Sequence, residues 1–184
     1  MILSVRCFRR ENRRKNAVFN LQSGVVDVNG QITSTNENSV NASTFSMVSN
    51  PQTGLLLLGF NGNPFSLSGT GTNTINLNGS SSTVNYNGAA QTVKATTYSN
   101  LTLSGSGTKT FSANTVISNL MVVSSGVKVN LNGITTHTTG VLTLGGTGPL
   151  SSSWGATGSG AVNTTDTYFT GSGRITINGT APGS

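Results

Sequence analysis

One short phrase recurs along this chain: an apolar residue, any residue, a second apolar residue, a small polar residue or glycine, then Gly. It reads Phe65-Ser-Leu67-Ser-Gly69, Ile75-Asn-Leu77-Asn-Gly79 and Val84-Asn-Tyr86-Asn-Gly88. It continues as Leu101-Thr-Leu103-Ser-Gly105, Val129-Asn-Leu131-Asn-Gly133 and Leu142-Thr-Leu144-Gly-Gly146. Outlying copies stand at Val26-Asp-Val28-Asn-Gly30, Leu58-Gly-Phe60-Asn-Gly62 and Ile175-Thr-Ile177-Asn-Gly179. Alternate side chains of a strand point to opposite faces, so each copy predicts a half-buried strand ended by residues that tolerate positive φ. Weaker alternating runs fill the gaps: Thr44–Val48, Gln91–Val93, Lys109–Phe111, Val116–Ile117 and Leu120–Val123. Helix formers are sparse in the body, where Gly, Thr, Ser, Val and Asn prevail, so no helix is expected there.

The spacing of the phrase narrows the architecture. Successive motif glycines lie 32, 7, 10, 9, 17, 28, 13 and 33 residues apart. Steps near ten match one strand and its turn, and the longer gaps hold weaker strands. This rhythm fits a right-handed parallel β-helix with coils of about 20–30 residues. With coils about 4.8 Å apart, some six of them make a rod of roughly 30 Å. One cue points to an antiparallel β-sandwich instead. Asn-Gly between alternating runs favours a type I′ hairpin, and the pair occurs at Asn29, Asn61, Asn78, Asn87, Asn132 and Asn178. β-Helix corners also need left-handed residues, and the chain lacks long strands and Pro-marked corners, so the β-helix is the expected fold.

Charge divides the chain in two. Arg6, Arg9, Arg10, Arg13, Arg14 and Lys15 against Glu11 give the first sixteen residues a charge of +5 out of a total of +6. The rest is nearly neutral and carries no electrostatic footprint for nucleic acid. Charged residues make up 8% of the chain, against about 25% in ordinary soluble domains. Moderate hydrophobicity with clean alternation argues for an ordered chain rather than a disordered one. Residues 1–20 are expected to be a basic segment outside the core, 21–180 the repeat region and 181–184 a tail. The basic cluster follows Met1-Ile2-Leu3 and no apolar run follows it, which is the wrong order for a secretory signal. Cys7 is the single cysteine, so no internal disulfide forms. No run approaches the length of a membrane span.

The stretch from Tyr86 through Asn-Gly-Ala-Ala-Gln-Thr-Val to Tyr98-Ser-Asn-Leu-Thr-Leu and Phe111 resembles a repeat of very large surface proteins from Bacteroidetes-type bacteria. Ser118–Gly126, Val127–Gly133 and Leu142–Gly146 follow in the order seen in such repeats. Trp154-Gly155 and the cluster from Asp166 to Gly173 look like their closing part. The resemblance covers about residues 40–180. It implies an extracellular, adhesin-like β-solenoid of the filamentous-haemagglutinin style, one section of a longer chain. It also implies surface glycans, proteins of host or neighbouring cells and flanking repeats as partners. The basic N-terminus does not match.

No residue emerges as catalytic, cofactor-binding or metal-binding. His137 is the single histidine; among Thr135, Thr136, Thr138 and Thr139 it reads as a solvent-facing loop residue. Asp27, Glu37 and Asp166 are scattered, whereas glycan cleavage needs grouped carboxylates. Trp154, Tyr168 and Phe169 could stack on sugars, but large aromatics more often bury area, here by plugging an end. Three function classes follow. The first is a non-enzymatic structural or adhesive surface module, with uncapped ends that self-associate end to end. The second is a fragment of a polysaccharide-acting β-helix enzyme, which needs acids grouped on adjacent coils. The third is a nucleic-acid binder working through the basic arm.

Overall fold

The computed structural model describes residues 16–36, Ser39 and 41–179. Expectations that fall on residues 1–15, Glu37 or the 181–184 tail lie outside the described residues. Among those described the chain is all-β, with nineteen strands and no helix. The order begins β1 (Asn16–Asn20), β2 (Val25–Val28), β3 (Ile32–Asn36), β4 (Ala42–Ser46), β5 (Leu55–Leu58) and β6 (Phe65–Gly69). It continues with β7 (Thr72–Asn76), β8 (Thr83–Tyr86), β9 (Gln91–Val93), β10 (Thr97–Tyr98), β11 (Asn100–Leu103) and β12 (Thr108–Phe111). Next come β13 (Val116–Val123), β14 (Lys128–Asn130) and β15 (His137–Leu144). The chain closes with β16 (Ser153–Gly155), β17 (Asn163–Thr164), β18 (Phe169–Thr170) and β19 (Arg174–Ile177).

Four sheets result. One orders β1-β4-β7, a second β3-β6 and a third β18-β14-β12-β9. The longest runs β17-β16-β19-β15-β13-β11-β8-β5-β2, with β10 joined to β13. Every strand pair is parallel except β16 with β19. The antiparallel sandwich therefore does not form, and the reason is visible at its strongest cue. Asn132 and Gly133 both take positive φ, 52° and 70°, as a hairpin turn would require. Yet the strands on either side, β14 and β15, belong to different sheets. The left-handed pair turns a corner instead of reversing the chain. At Gly79 and Gly88 the glycine serves another need. A Cβ on Gly88 would stand 2.6 Å from the Gly59 carbonyl oxygen, and one on Gly79 would strike the Met47 carbonyl. Bare backbone is what lets neighbouring segments approach there.

Parallel register stacks like side chains in columns. Leu56, Val84, Leu101, Met121 and Leu142 are successive partners in the long sheet, and each is fully buried. Leu58, Tyr86, Leu103, Val123 and Leu144 form the column beside it. Their outward neighbours, such as Asn85, Thr102 and Val122, are half-buried, as period-two alternation requires. Across the interior, Val129 and Leu131 are buried as well, so the inward positions of the phrase meet in one core.

One boundary differs from the sequence reading. Strand pairing starts upstream of Leu21: β1 lies in register on β4, and Phe19 stacks on Phe45 at 5.0 Å between ring centroids. Phe19 is the apolar anchor that the basic surroundings obscured. At the other end, β19 is flanked by β15 on one side and by antiparallel β16 on the other. The terminal strand of the long sheet at this end is therefore β17, not β19.

Candidate functional site

Several polar side chains of this molecule lie buried. β9, β12, β14 and β18 place Gln91, Lys109, Val129 and Phe169 in one register column, and all four are buried. Lys109 takes the inward position of an alternating strand, Thr108-Lys-Thr-Phe111, whose next inward residue is the fully buried Phe111. Its ammonium donates to Gly88 O at 2.6 Å, Ala89 O at 2.7 Å and Gln91 Oε1 at 2.8 Å. Three carbonyl acceptors match the three protons of the group. Burial pulls its pKa from the ordinary lysine range down to about 8.

Gln91 is held just as firmly. Its Nε2 donates to Leu58 O at 2.7 Å and Phe60 O at 2.9 Å. Its Oε1 accepts from Gly88 N–H at 3.0 Å as well as from Lys109. Four partners fix which way the carboxamide faces.

A tyrosine pair lies in the adjacent core. Tyr98 Oη donates to Lys94 O at 2.7 Å, Lys94 N–H donates to Tyr86 Oη at 3.1 Å, and the two hydroxyls meet at 2.9 Å. Since the Tyr98 proton goes to Lys94, the Tyr86 hydroxyl donates to Tyr98. Burial pushes Tyr86 up to about 12, and it drives Tyr98 well above the usual tyrosine range, with Tyr86 adding to the effect.

His137 overturns its sequence reading. It is fully buried at the start of β15, not solvent-facing in a loop. Thr115 N–H donates to Nδ1 at 3.2 Å, so Nε2 carries the proton and donates to Leu131 O at 3.2 Å. Phe111 meets the ring edge-on, with centroids 5.1 Å apart. Burial holds its pKa below 6.5, against the upward pull of the two backbone bonds.

The acids do not come together. Asp27 lies on β2 at one end of the long sheet, and Asp166 follows β17 at the other. Asp166 borders an open groove of about 340 Å³ that it shares with Lys128, Thr157, Phe169 and Thr170. Its oxygens accept from Thr157 N–H at 2.9 Å and Thr157 Oγ1 at 2.8 Å, which lowers its pKa, and the Lys128 charge adds to this. One carboxylate engaged by a threonine does not make the acid pair that glycosidic cleavage uses. Of the three aromatics, Phe169 is buried, while Trp154 and Tyr168 pack half-buried against the core. Trp154 Nε1 donates to Ser151 O at 2.9 Å. Part of each ring is thus spent on packing against the core. No three His, Cys, Asp or Glu side chains gather among the described residues.

Comparison with known proteins leaves the geometry to speak alone. No family model, curated protein or solved structure matches the chain.

Sequence reasoning missed Lys109, Gln91 and the tyrosine pair. A usable signal was present: Lys109 stands two positions before Phe111, on the same face, and so had to point inward if Phe111 did.

Proposed function

We propose that the chain is a right-handed parallel β-helix serving as a non-enzymatic structural and adhesive module of a bacterial cell-surface protein. One observation carries the reading: parallel register partners repeat along the same columns through most of the chain. Val26, Leu56, Val84, Leu101, Met121 and Leu142 follow one another at intervals of 30, 28, 17, 20 and 21 residues. Each interval contains strands of the other sheets, as a coil with three faces requires. The bridge from Leu77 to Tyr98 joins the β1-β4-β7 sheet to β10, and β10 pairs with the first part of β13. A register shift between Ile117 and Leu120 interrupts β13 where a coil of this kind would turn from one face to the next.

Such a rod works by geometry. Backbone hydrogen bonds run along its axis, apolar columns fill its bore, and the Ser, Thr and Asn of its outer face are free to meet surface glycans or proteins of neighbouring cells. Flanking repeats of a longer chain would continue the stack, and end-to-end self-association would use the same edge chemistry. The scattered carboxylates support the non-enzymatic reading over the polysaccharide-cleaving one.

Antibody labelling of intact source cells tests the placement. Labelling without permeabilisation is expected; labelling that appears only after lysis would overturn it.

A further inference from the structure

A lysine ammonium buried without a carboxylate is costly, and the cost points to chemistry. Lys109 and Gln91 are direct register partners on β12 and β9. Lys109 is 0% exposed and Gln91 is 3% exposed. The hydrogen-bond acceptors of Lys109 Nζ are Gly88 O, Ala89 O and Gln91 Oε1, all carbonyl oxygens. Nζ therefore donates to the oxygen of the Gln91 carboxamide at 2.8 Å, and that oxygen is bonded to Cδ.

We propose that Lys109 and Gln91 join in an intramolecular isopeptide bond, Nζ of Lys109 to Cδ of Gln91, which staples β12 to β9. The step balances without a cofactor or oxidant. The neutral Nζ lone pair adds to Cδ, and the carbonyl π pair moves onto Oε1, where Gly88 N–H already donates at 3.0 Å. Collapse restores the carbonyl and breaks the bond from Cδ to Nε2. One proton from Nζ leaves with that nitrogen as ammonia. A primary carboxamide and an amine become a secondary amide and ammonia.

Four features favour it. The carboxamide is clamped by Leu58 O and Phe60 O, so its carbonyl faces the lysine. Fixed neighbours react at an effective concentration far above any bimolecular value. The product is a neutral amide, which removes the buried charge. Burial also enriches the free amine needed for attack, and no charged neighbour contributes to that shift. With no carboxylate among the described residues bonded to Lys109 to relay the proton, the bond forms slowly after folding, as a maturation step. The inference goes beyond the surface-rod reading and does not depend on it.

Mass spectrometry of the folded chain, aged at mildly alkaline pH, tests the proposal. The intact mass is expected to fall by one ammonia. Trypsin should cut after Lys94 and Lys128 but not after Lys109, and a branched peptide should join the segment holding Gln91 to the one holding Lys109. Succinimides at Asn-Gly pairs also lose ammonia, but they leave Lys109 open to trypsin and give no branched peptide. Lys109→Met and Gln91→Leu chains should keep the full mass at this site. A wild-type chain that trypsin cleaves after Lys109, with no branched peptide, overturns the proposal whether or not either variant folds.

Discussion

The first part of the stack and its middle are built alike and filled differently. In the middle, from β8 to β15, one long-sheet column is wholly apolar: Val84, Leu101, Met121 and Leu142 are all fully buried. In the first part, the strands of the other sheets β3, β4 and β7 hold a knot of small polar side chains between them. Ser34 Oγ and Ser43 Oγ each lie 2.7 Å from Asn73 Oδ1, and 2.6 Å from each other. Asn36 Nδ2 donates to Thr72 O at 2.8 Å and to Asn73 Oδ1 at 3.1 Å. The difference separates stability from register. Apolar columns contribute more free energy but tolerate many neighbours, whereas a hydrogen-bonded knot contributes about 0.5–1.5 kcal/mol per bond and accepts only one alignment.

The largest effects are expected in the middle strands. Leu103→Asp places an unpaired charge among apolar columns and should cost several kcal/mol, enough to abolish cooperative melting. A chain that melts unchanged would mean Leu103 does not face the core. Leu101→Ala should cost about 2–5 kcal/mol in a urea titration, through lost burial and the cavity left behind. Asn73→Ala should cost less, about 1–3 kcal/mol, because it strips the shared acceptor from Ser34, Ser43 and Asn36. If Asn73→Ala costs more than Leu101→Ala, the two regions have been assigned the wrong roles.

Acid titration sharpens the contrast further. His137 titrates lower in the folded chain than its ordinary 6.5, so below pH 6.5 the unfolded chain binds the extra proton. Stability should fall as pH drops through that range, and His137→Gln should flatten the decline. The smallest effect belongs to the outer face: Thr102→Val, at a half-buried outward position, should shift stability by less than about 0.5 kcal/mol.

Much of the strand pattern was legible because alternation survives in single copies of the phrase. Leu101 and Leu103 are inward for the reason the sequence shows. Parallel pairing was harder, since Asn132-Gly133 carries hairpin chemistry and turns a corner with it. Lys109 and His137 were misjudged or passed over because polarity was taken as a guide to exposure. In a strand made of Thr and Ser, both faces are polar in sequence, and only the partners across the ladder decide which one is buried. Gln91 fills an inward position that an alternating pattern would give to an apolar residue. Phe19 was hidden by the arginines upstream, whose charge says nothing about where a strand begins.

Parallel pairing in the register described can be trapped by a designed disulfide. Thr102 and Val122 are direct partners on β11 and β13, and both point outward, so joining them leaves the core untouched. Parallel neighbours lie about 4.8 Å apart, within the range a disulfide spans. In a Cys7→Ser background, Thr102→Cys with Val122→Cys should oxidise readily and retain the native melt. The offset pair, Thr102→Cys with Leu120→Cys, should stay reduced. A reduced Thr102/Val122 pair, or equal oxidation of the offset pair, would contradict the account.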